Sequence, residues 1–347
     1  MDVPTGMVPA RLAASVTHRS VNRTTRLRLA IPFVVVLAAI VAGPATGQEE
    51  PAPEPAIMAP LASKSLLLDA AAAGDRLVVV GERGHILVSD DNGGTWRQVP
   101  APVRTMLTGV TFVDDALGFA VGHDSVILRS RDAGESWELV YRAPEDEAPL
   151  FDVWFADADT GIAVGAYGSF FRTTDGGTSW LFEPIGDADW HLHKVADAGG
   201  GRLYLAAEAG IAYRSDDNGT SWTELPSPYE GSFFGVLPLG GDTVLLYGLR
   251  GHLFRSEDAG DSWRQIDTDT VALLSTGVLV SDGSVVIAGL GGTVLVSSDS
   301  GRSFSRYQQP GRRGIADVIE TTTGSLLMVG EFGVRTATLD ELTTVVE

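Results

Sequence analysis

The sequence predicts an all-β protein made of repeated four-stranded units that close into a ring. An octapeptide of the form Ser/Thr-x-Asp-x-Gly-x-Ser/Thr-aromatic recurs with gaps of 41, 43, 42, 41 and 41 residues, beginning at Ser89, Ser130, Thr173, Ser215, Ser256 and Ser297. Eight residues before each octapeptide, a small residue ends an apolar run: Gly81, Gly122, Gly165, Ala207, Gly248 and Gly289. A strict period of this length is typical of units that bury their apolar faces by stacking on their neighbours.

Each octapeptide is predicted to close a turn between the third and fourth strands of its unit. The hydroxyl and carboxylate oxygens can accept backbone N–H groups, and the glycine permits a positive φ. We therefore assign a structural role to six carboxylates: Asp91, Asp132, Asp175, Asp217, Asp258 and Asp299. Asp90-Asp91-Asn92-Gly93 also resembles the start of a calcium loop, but the glutamate at the twelfth position and the flanking helices of such a loop are missing.

The strands of each unit are named a, b, c and d, and most units show Gly-x-x-Gly between b and c, which predicts a two-residue hairpin. A seventh unit begins its b–c turn at Gly330 and ends at Glu347, too early for a strand d. The fold class predicted over residues 57–347 is therefore a seven-bladed β-propeller. We expect residues 57–62 to complete the seventh blade by pairing near Val334–Thr338; an open solenoid, the alternative, would leave two sheet edges exposed.

The amino terminus has the composition of an export signal. Five arginines lie within residues 1–28, an apolar run follows from Leu29, and small residues precede the predicted cleavage between Gly47 and Gln48. We expect residues 1–47 to be a signal peptide and residues 48–56 a Pro/Glu-rich linker. An uncleaved membrane anchor is the competing interpretation, although Pro32 makes the run a poor span.

Composition limits the classes of partner. The net charge of −20, which cleavage would take to −24, argues against nucleic acid or an anionic lipid surface as the general partner. With no cysteine, the chain can form no disulfide and carries no lipidation site of the lipobox type. We expect no cofactor and no metal. Two histidines, His191 and His193, could share one face of a strand as metal ligands, but no third ligand is identifiable, and a polar position near the axial channel is the competing interpretation.

The octapeptides resemble the Asp-box, or BNR, repeats of sialidases, and the complete unit resembles the photosystem II stability/assembly factor family over residues 57–347. That resemblance implies an exported, non-enzymatic propeller that assists assembly of a membrane protein complex, and we expect it to be a monomer. It implies a periplasmic location, or the thylakoid lumen in a phototroph. The alternative is a glycan-binding or glycan-cleaving propeller, but Phe171-Arg172 and Phe254-Arg255, which approach the sialidase Phe/Tyr-Arg-Ile-Pro motif, lie on strand c in the wrong context.

Partner binding is predicted for the face formed by the b–c turns and the d–a loops, hereafter the b–c/d–a face. Residue pairs inside Gly-x-x-Gly differ freely between units, and arginines and aromatic residues are common interface anchors. The resemblance adds an arginine-rich patch that is known in the phototroph relatives. The candidate partner-binding residues are Arg83, Arg250, Arg312, Arg313, Arg104, Tyr167 and Trp190.

Overall fold

The computed structural model describes residues 52–186 and 189–344 and shows seven antiparallel sheets in chain order. Six sheets have four strands and the seventh has three, so the predicted seven-bladed propeller is confirmed. The predicted ends of strand b, at Gly81, Gly122 and their five counterparts, are the observed ones. The predicted signal peptide and the first residues of the linker lie outside the described residues.

Each blade runs a-b-c-d from the axis outward. The strands of blades 1 to 4 are β1 (Leu67–Ala73), β2 (Arg76–Gly81), β3 (Ile86–Ser89) and β4 (Arg97–Val99); β5 (Leu107–Phe112), β6 (Gly118–Gly122), β7 (Ile127–Ser130) and β8 (Glu138–Tyr141); β9 (Leu150–Phe155), β10 (Gly161–Gly165), β11 (Phe170–Thr173) and β12 (Leu181–Phe182); β13 (Leu192–Gly199), β14 (Arg202–Ala207), β15 (Ala212–Ser215) and β16 (Thr223–Glu224).

Blades 5 to 7 follow the same plan until the chain reaches its only described α-helix. Their strands are β17 (Phe233–Gly240), β18 (Thr243–Gly248), β19 (Leu253–Ser256) and β20 (Arg264–Ile266); β21 (Leu274–Leu279), β22 (Val285–Gly289), β23 (Thr293–Ser297) and β24 (Ser305–Gln308); β25 (Ile315–Glu320), β26 (Leu326–Gly330) and β27 (Gly333–Ala337), before α1 (Leu339–Thr343). Short 3-10 turns span Ala62–Lys64, Glu82–Gly84, His123–Ser125, Pro144–Asp146, Leu249–Gly251, Leu290–Gly292 and Pro310–Arg312.

The core lies between blades rather than within any one of them. Val78 and Val88 of blade 1 pack with Val110 and Leu128 of blade 2, and Trp137 covers the outer end of this cluster. Other neighbouring blades form equivalent clusters, as expected for sheets that each have two apolar faces. The ring is therefore held together by the packing of each blade against the next.

The predicted closure by an amino-terminal strand is wrong. Residues 57–61 form no strand, and β27 pairs with β26 alone among the described residues. The side chain of Gln98 in blade 1 instead donates Nε2–H to Ile57 O (3.0 Å) and accepts Ala59 N–H at Oε1 (2.7 Å). Because these contacts hold the segment beside blade 1, a continuous ladder with β27 does not form.

Packing closes the ring in place of that ladder. Ala62 is buried in one cluster with Leu77 and Val79 of blade 1 and with Leu327 and Val329 of blade 7. The amino-terminal segment therefore fills the seam between the first and last blades with side chains, while the edge of the last sheet keeps no strand partner in the described part of the chain.

The connection between strands b and c is wider than the predicted two-residue hairpin in most blades. In blade 1, Val80 pairs with Ile86 and a 3-10 turn lies between them, whereas in blade 7 Gly330 pairs directly with Gly333. A Cβ atom at Gly84, whose φ is +70°, would lie 2.1 Å from Val103 O in the following d–a loop. Glycine is thus required where the b–c turn meets the d–a loop. Because these turns and loops are in contact, both sets lie at the same end of the ring.

The octapeptides form the c–d turns, and their polar side chains supply the hydrogen bonds. In blade 2, Ser130 Oγ accepts Gly134 N–H (2.8 Å), while Asp132 accepts Ser136 N–H (2.9 Å) and Ser136 Oγ–H (2.6 Å). Trp137 Nε1–H donates to Gly134 O (3.0 Å). The same hydroxyl-to-carboxylate contact recurs in the other five octapeptides, so the carboxylate oxygens are occupied by their own turns.

Four arginines each connect strand c of one blade to the c–d turn of the next blade. Each stands one residue before an octapeptide, on strand c, and donates to a carbonyl in the c–d turn of the following blade. The pairs are Arg129 with Gly176 O (2.7 Å), Arg172 with Gly219 O, Arg214 with Ala259 O (2.8 Å) and Arg255 with Ser300 O (3.0 Å). We call these contacts the arginine clasps; they engage the two arginines whose sequence context approaches a sialidase motif.

Replacing Arg129 with alanine should destabilise the ring. The substitution leaves the buried Gly176 carbonyl without its donor, which should lower the free energy of unfolding by about 1–3 kcal/mol. Arg131→Ala is the matched control, since this side chain is 61 % exposed and belongs to the same turn; it should change stability by less than about 0.5 kcal/mol. Chemical denaturation of both variants measures the difference, and equal losses would contradict a clasp.

Acid should weaken the c–d turns. Hydrogen bonds from Ser179, Ser221 and Ser262 lower the pKa of Asp175, Asp217 and Asp258 to about 2. Because these pKa values are lower in the folded than in the unfolded chain, the stabilisation is complete above an unfolded pKa of about 4 and is lost as pH falls towards 2. The melting temperature should therefore fall across this interval.

The matched variant for that titration carries Asp→Asn changes at these three positions. Its melting temperature should depend less on pH between about 4 and 2 than that of the wild-type protein, because the substituted side chains cannot be protonated. An identical pH dependence in both proteins would mean that other groups govern acid unfolding.

Candidate functional site

A cavity of about 560 Å³ opens at the axis on the b–c/d–a face. It exists because the register of strands a and b shifts at the second residue of every strand a, for example between Leu67 and Asp69 and between Leu192 and Lys194. Such a bulge redirects the side chain of the extra residue. Seven bulged residues, one from each blade, line the cavity: Leu68, Thr108, Phe151, His193, Phe234, Ser275 and Ala316.

The bulged residues that can donate hydrogen bonds tie neighbouring blades together. Thr108 Oγ–H donates to Leu150 O (2.6 Å), and Ser275 Oγ–H donates to Ile315 O (2.7 Å). His193 Nδ1 lies 2.7 Å from Phe233 O, so this nitrogen carries the proton. The other bulged residues, chiefly Phe151 and Phe234, give the cavity its apolar surface.

A charged layer lies on the third residue of strand a, directly after the bulge. Lys194 Nζ lies 3.0 Å from Asp152 Oδ1 and 4.0 Å from Asp69 Oδ1. Burial lowers the pKa of Lys194, but the charges of Asp152, Asp69 and Asp317 outweigh that effect and hold the pKa well above its ordinary value. Asp69 and Asp152 also accept backbone N–H groups of the next blade, at Val110 (2.7 Å) and Val195 (2.8 Å). The layer therefore joins blades and fixes one cationic side chain inside the ring.

Aromatic side chains contact both His191 and His193. Their ring centroids are 6.4 Å apart, His193 stacks on Phe234 at 4.5 Å, and His191 meets the edge of Tyr167 at 5.0 Å. Within residues 52–186 and 189–344, no three His, Cys, Asp or Glu side chains are grouped to hold a metal. His193 acts as a tie between blades and a wall of the cavity.

Acidic residues at the rim hold the loops of their own blades. Glu208 accepts His191 N–H (3.0 Å), and Glu331 accepts Gly314 N–H (2.8 Å). In both blades the carboxylate belongs to the first residue of the b–c turn and the donor to the preceding d–a loop. These carboxylates stabilise the mouth of the cavity.

The predicted arginines occupy one arc of the b–c/d–a face. Arg83 and Arg250 are the second residues of b–c turns, exposed and with positive φ (57° in both), in blades 1 and 5. Arg312 and Arg313 are exposed in the loop between blades 6 and 7, where the Cα of Arg312 approaches the b–c turn of blade 6 at Gly292. In the described part of the chain, none of the four has a carboxylate within 4 Å.

The remaining predicted residues lie on other blades. Tyr167, 59 % exposed, is the second residue of the b–c turn of blade 3, and Trp190 is half-buried in the loop that follows, where its carbonyl accepts Gly168 N–H (2.9 Å). Arg104 forms an ion pair with Glu54 (2.6 Å) in the linker. The b–c/d–a face thus has a cationic arc on blades 5, 6, 7 and 1 and an aromatic arc on blades 3 and 4.

Sequence inspection singled out His193 but missed the other six bulged residues of the cavity. They do carry a signal, because the bulged residue stands fourteen positions before the small residue that ends strand b in six of the seven blades. Phe151, His193 and Phe234 share that spacing with Thr108, so residue type alone does not mark the position.

Within the described residues, no helix has the length and apolar character needed to cross a membrane.

The fold and the cavity together define a seven-bladed β-propeller with an axial site on its b–c/d–a face. The model of the family described as photosynthesis system II assembly factor YCF48 matches residues 131–284, a range that includes Arg250, Tyr167 and Trp190. The resemblance to this assembly-factor family that the repeats indicate is confirmed.

Solved structures with the same fold include two YCF48 structures and a WD40 propeller. YCF48 bound to a D1 peptide is 16 % identical, with a TM-score of 0.64, over 82 % of this chain and 98 % of that one. YCF48 from Cyanidioschyzon merolae is 18 % identical, with a TM-score of 0.64, over 80 % and 97 %. The WD40 propeller domain of Doa1 is 13 % identical, again with a TM-score of 0.64, over 78 % and 92 %. No curated protein matches the sequence.

The environment of His193 should be visible in its titration. Burial lowers the pKa of His193 from its ordinary value of about 6.5, and the hydrogen bond to Phe233 O only partly opposes that shift. When the ring-proton chemical shift of His193 is followed against pH, the midpoint of the titration should therefore lie below pH 6.5. The signal of His193 is assigned in the NMR spectrum by its absence from a His193→Asn variant. A midpoint above 6.5 would mean that the ring is hydrated rather than packed on Phe234.

Proposed function

We propose that this chain is an exported, non-enzymatic propeller that binds a segment of a membrane protein complex and assists its assembly or stability. The observation that carries the proposal is the arc formed by Arg83, Arg250, Arg312 and Arg313, exposed on the face where the apolar axial cavity opens. Arginine presents planar, bidentate donors that suit carboxylates and backbone carbonyls of a partner.

The charge balance of the chain supports the choice of this face. The protein carries −20 overall, and many of its arginines form ion pairs or clasps, such as Arg76, Arg129 and Arg202. Arginines without a carboxylate partner on such an acidic protein create a local region that attracts anionic groups. A peptide segment with acidic and apolar side chains would be complementary to the arc and to the cavity.

The comparisons support the kind of partner. The family model concerns an assembly factor, and one YCF48 structure contains a bound D1 peptide. Export rests on the basic and apolar character of residues 1–47. Neither the hydrogen-bonded octapeptide carboxylates nor the clasped Arg172 and Arg255 is available as a free catalytic side chain, which favours binding over glycan cleavage.

Reversing the charge of the arc should abolish partner capture without unfolding the ring. The variant carries Arg83→Glu, Arg250→Glu, Arg312→Glu and Arg313→Glu. Its melting temperature should stay close to that of the wild type, because exposed charges contribute on the order of 0–1 kcal/mol per pair. Capture of the partner complex from solubilised native membranes should fall sharply, and wild-type capture should weaken as salt rises.

A control of equal charge separates the arc from a general effect of added acid. The variant with Arg83→Glu and Arg250→Glu is compared with one carrying Arg131→Glu and Arg264→Glu, whose side chains are exposed on a c–d turn and an outer strand. Only the variant with Arg83→Glu and Arg250→Glu should lose capture of the partner complex. Equal capture by wild type and the quadruple variant at every salt concentration would remove the b–c/d–a arc as the binding surface.

A further inference from the structure

Among the described residues, the last strand of blade 7 has one edge without a strand partner. Six blades have a fourth strand of two to four residues, but β27 pairs only with β26 in the described part of the chain. Val334 faces the seam with blade 1, whereas Arg335 pairs with Met328 and lies on the side facing blade 6. An unpaired edge presents a row of backbone donors and acceptors that an extended segment can complete.

A pocket of about 250 Å³ lies beside this edge, between blades 6 and 7. Ile315, Met328 and Phe332 supply its apolar wall. The side chains of a fourth strand that faced blade 6 would occupy this space, because alternate residues of a strand point to the same side. The volume is below the roughly 300–1,000 Å³ of typical small-molecule sites, so a side chain fits it better than a separate ligand.

Two arginines mark the polar end of the pocket. Arg335 Nη1–H donates to Gln309 Oε1 (3.2 Å), and the buried Gln309 in turn donates Nε2–H to Leu342 O (3.0 Å). Gln309 therefore connects the guanidinium of Arg335 to the helix that follows β27. Arg313 also lines the pocket and, among the described residues, has no carboxylate within 4 Å.

We propose that this edge and pocket bind an extended acidic peptide of a partner protein, which adds antiparallel to β27 as the fourth strand of blade 7. The peptide places an apolar side chain in the pocket and a carboxylate against Arg335 and Arg313. Because side chains two residues apart in a strand lie about 7 Å apart on one side, the recognised pattern is apolar-x-acidic. The site does not depend on Arg83 or Arg250, since neither lines it.

The test uses the mature chain and a fluorescein-labelled peptide, Thr-Val-Thr-Leu-Thr-Glu-Thr. Fluorescence anisotropy measures binding, and hydrogen exchange locates it. We expect saturable binding together with slower exchange of backbone amides within residues 333–337. Binding with no change of exchange in these residues would place the peptide elsewhere and overturn the proposal, as would a complete lack of binding.

Backbone methylation tests strand addition directly. N-methylation of alternate residues along one edge of the peptide should abolish binding, whereas N-methylation along the other edge should leave it intact, because an added strand uses only one edge. Equal affinity of the two methylated peptides would overturn the proposal.

Charge reversal tests the pocket. Arg335→Glu should weaken binding about tenfold, as expected for the loss of a charge-assisted hydrogen bond, and a peptide with Lys in place of Glu should regain affinity for this variant. Arg131→Glu, on a c–d turn, should bind the original peptide as the wild type does. Loss of binding in Arg131→Glu, or none in Arg335→Glu, would contradict the assigned contact.

The protein without peptide reveals any other occupant of the edge. Slow exchange within residues 333–337 that disappears on dilution would assign the edge to a second copy of the chain. Slow exchange of the unpaired amides at every concentration would assign it to the protein's own residues. Either result would overturn the proposed peptide site. The proposal for the arginine arc would be unaffected, because the variant with Arg83→Glu and Arg250→Glu tests it separately.

Discussion

The packing of each blade against the next is the interaction on which every other feature of this protein depends. A single four-stranded sheet with two apolar faces cannot be stable alone, so each sheet needs both of its neighbours. The clusters that combine Val78 with Val110, or Ala62 with Leu327, show that hydrophobic clusters are shared between neighbouring blades. The cavity at the axis exists because seven such contacts bring seven bulges to one ring.

Polar contacts at both ends of the ring reinforce this packing, but by different means. At the c–d end, side chains of the octapeptides close their own turns and the arginine clasps reach to the next blade. At the b–c/d–a end, the ties come from the bulged residues, such as Thr108 and His193, and from Glu208 and Glu331. The first set recurs almost unchanged, whereas the second varies between blades, which leaves one face free to acquire specificity.

Sequence reasoning identified the parts of the fold that repeat. The number of blades, the ends of strand b and the octapeptide turns followed from spacing, because the same local chemistry is needed in every unit. The closure of blade 7 could not be predicted in this way, since it depends on Gln98 holding Ile57 and Ala59, a contact made once between distant parts of the chain. Most of the cavity residues were missed for a related reason: Thr108 and Phe151 share a position but no residue type.

The arginine clasps have a direction that bears on how the chain folds as it emerges. Arg129, Arg172, Arg214 and Arg255 each reach forward, from one blade to the blade made after it. During synthesis a newly completed blade therefore holds an unsatisfied guanidinium until the octapeptide about 45 residues later has formed its turn. The seam at Ala62 contains side chains of blade 7, so the ring cannot close before that blade is present.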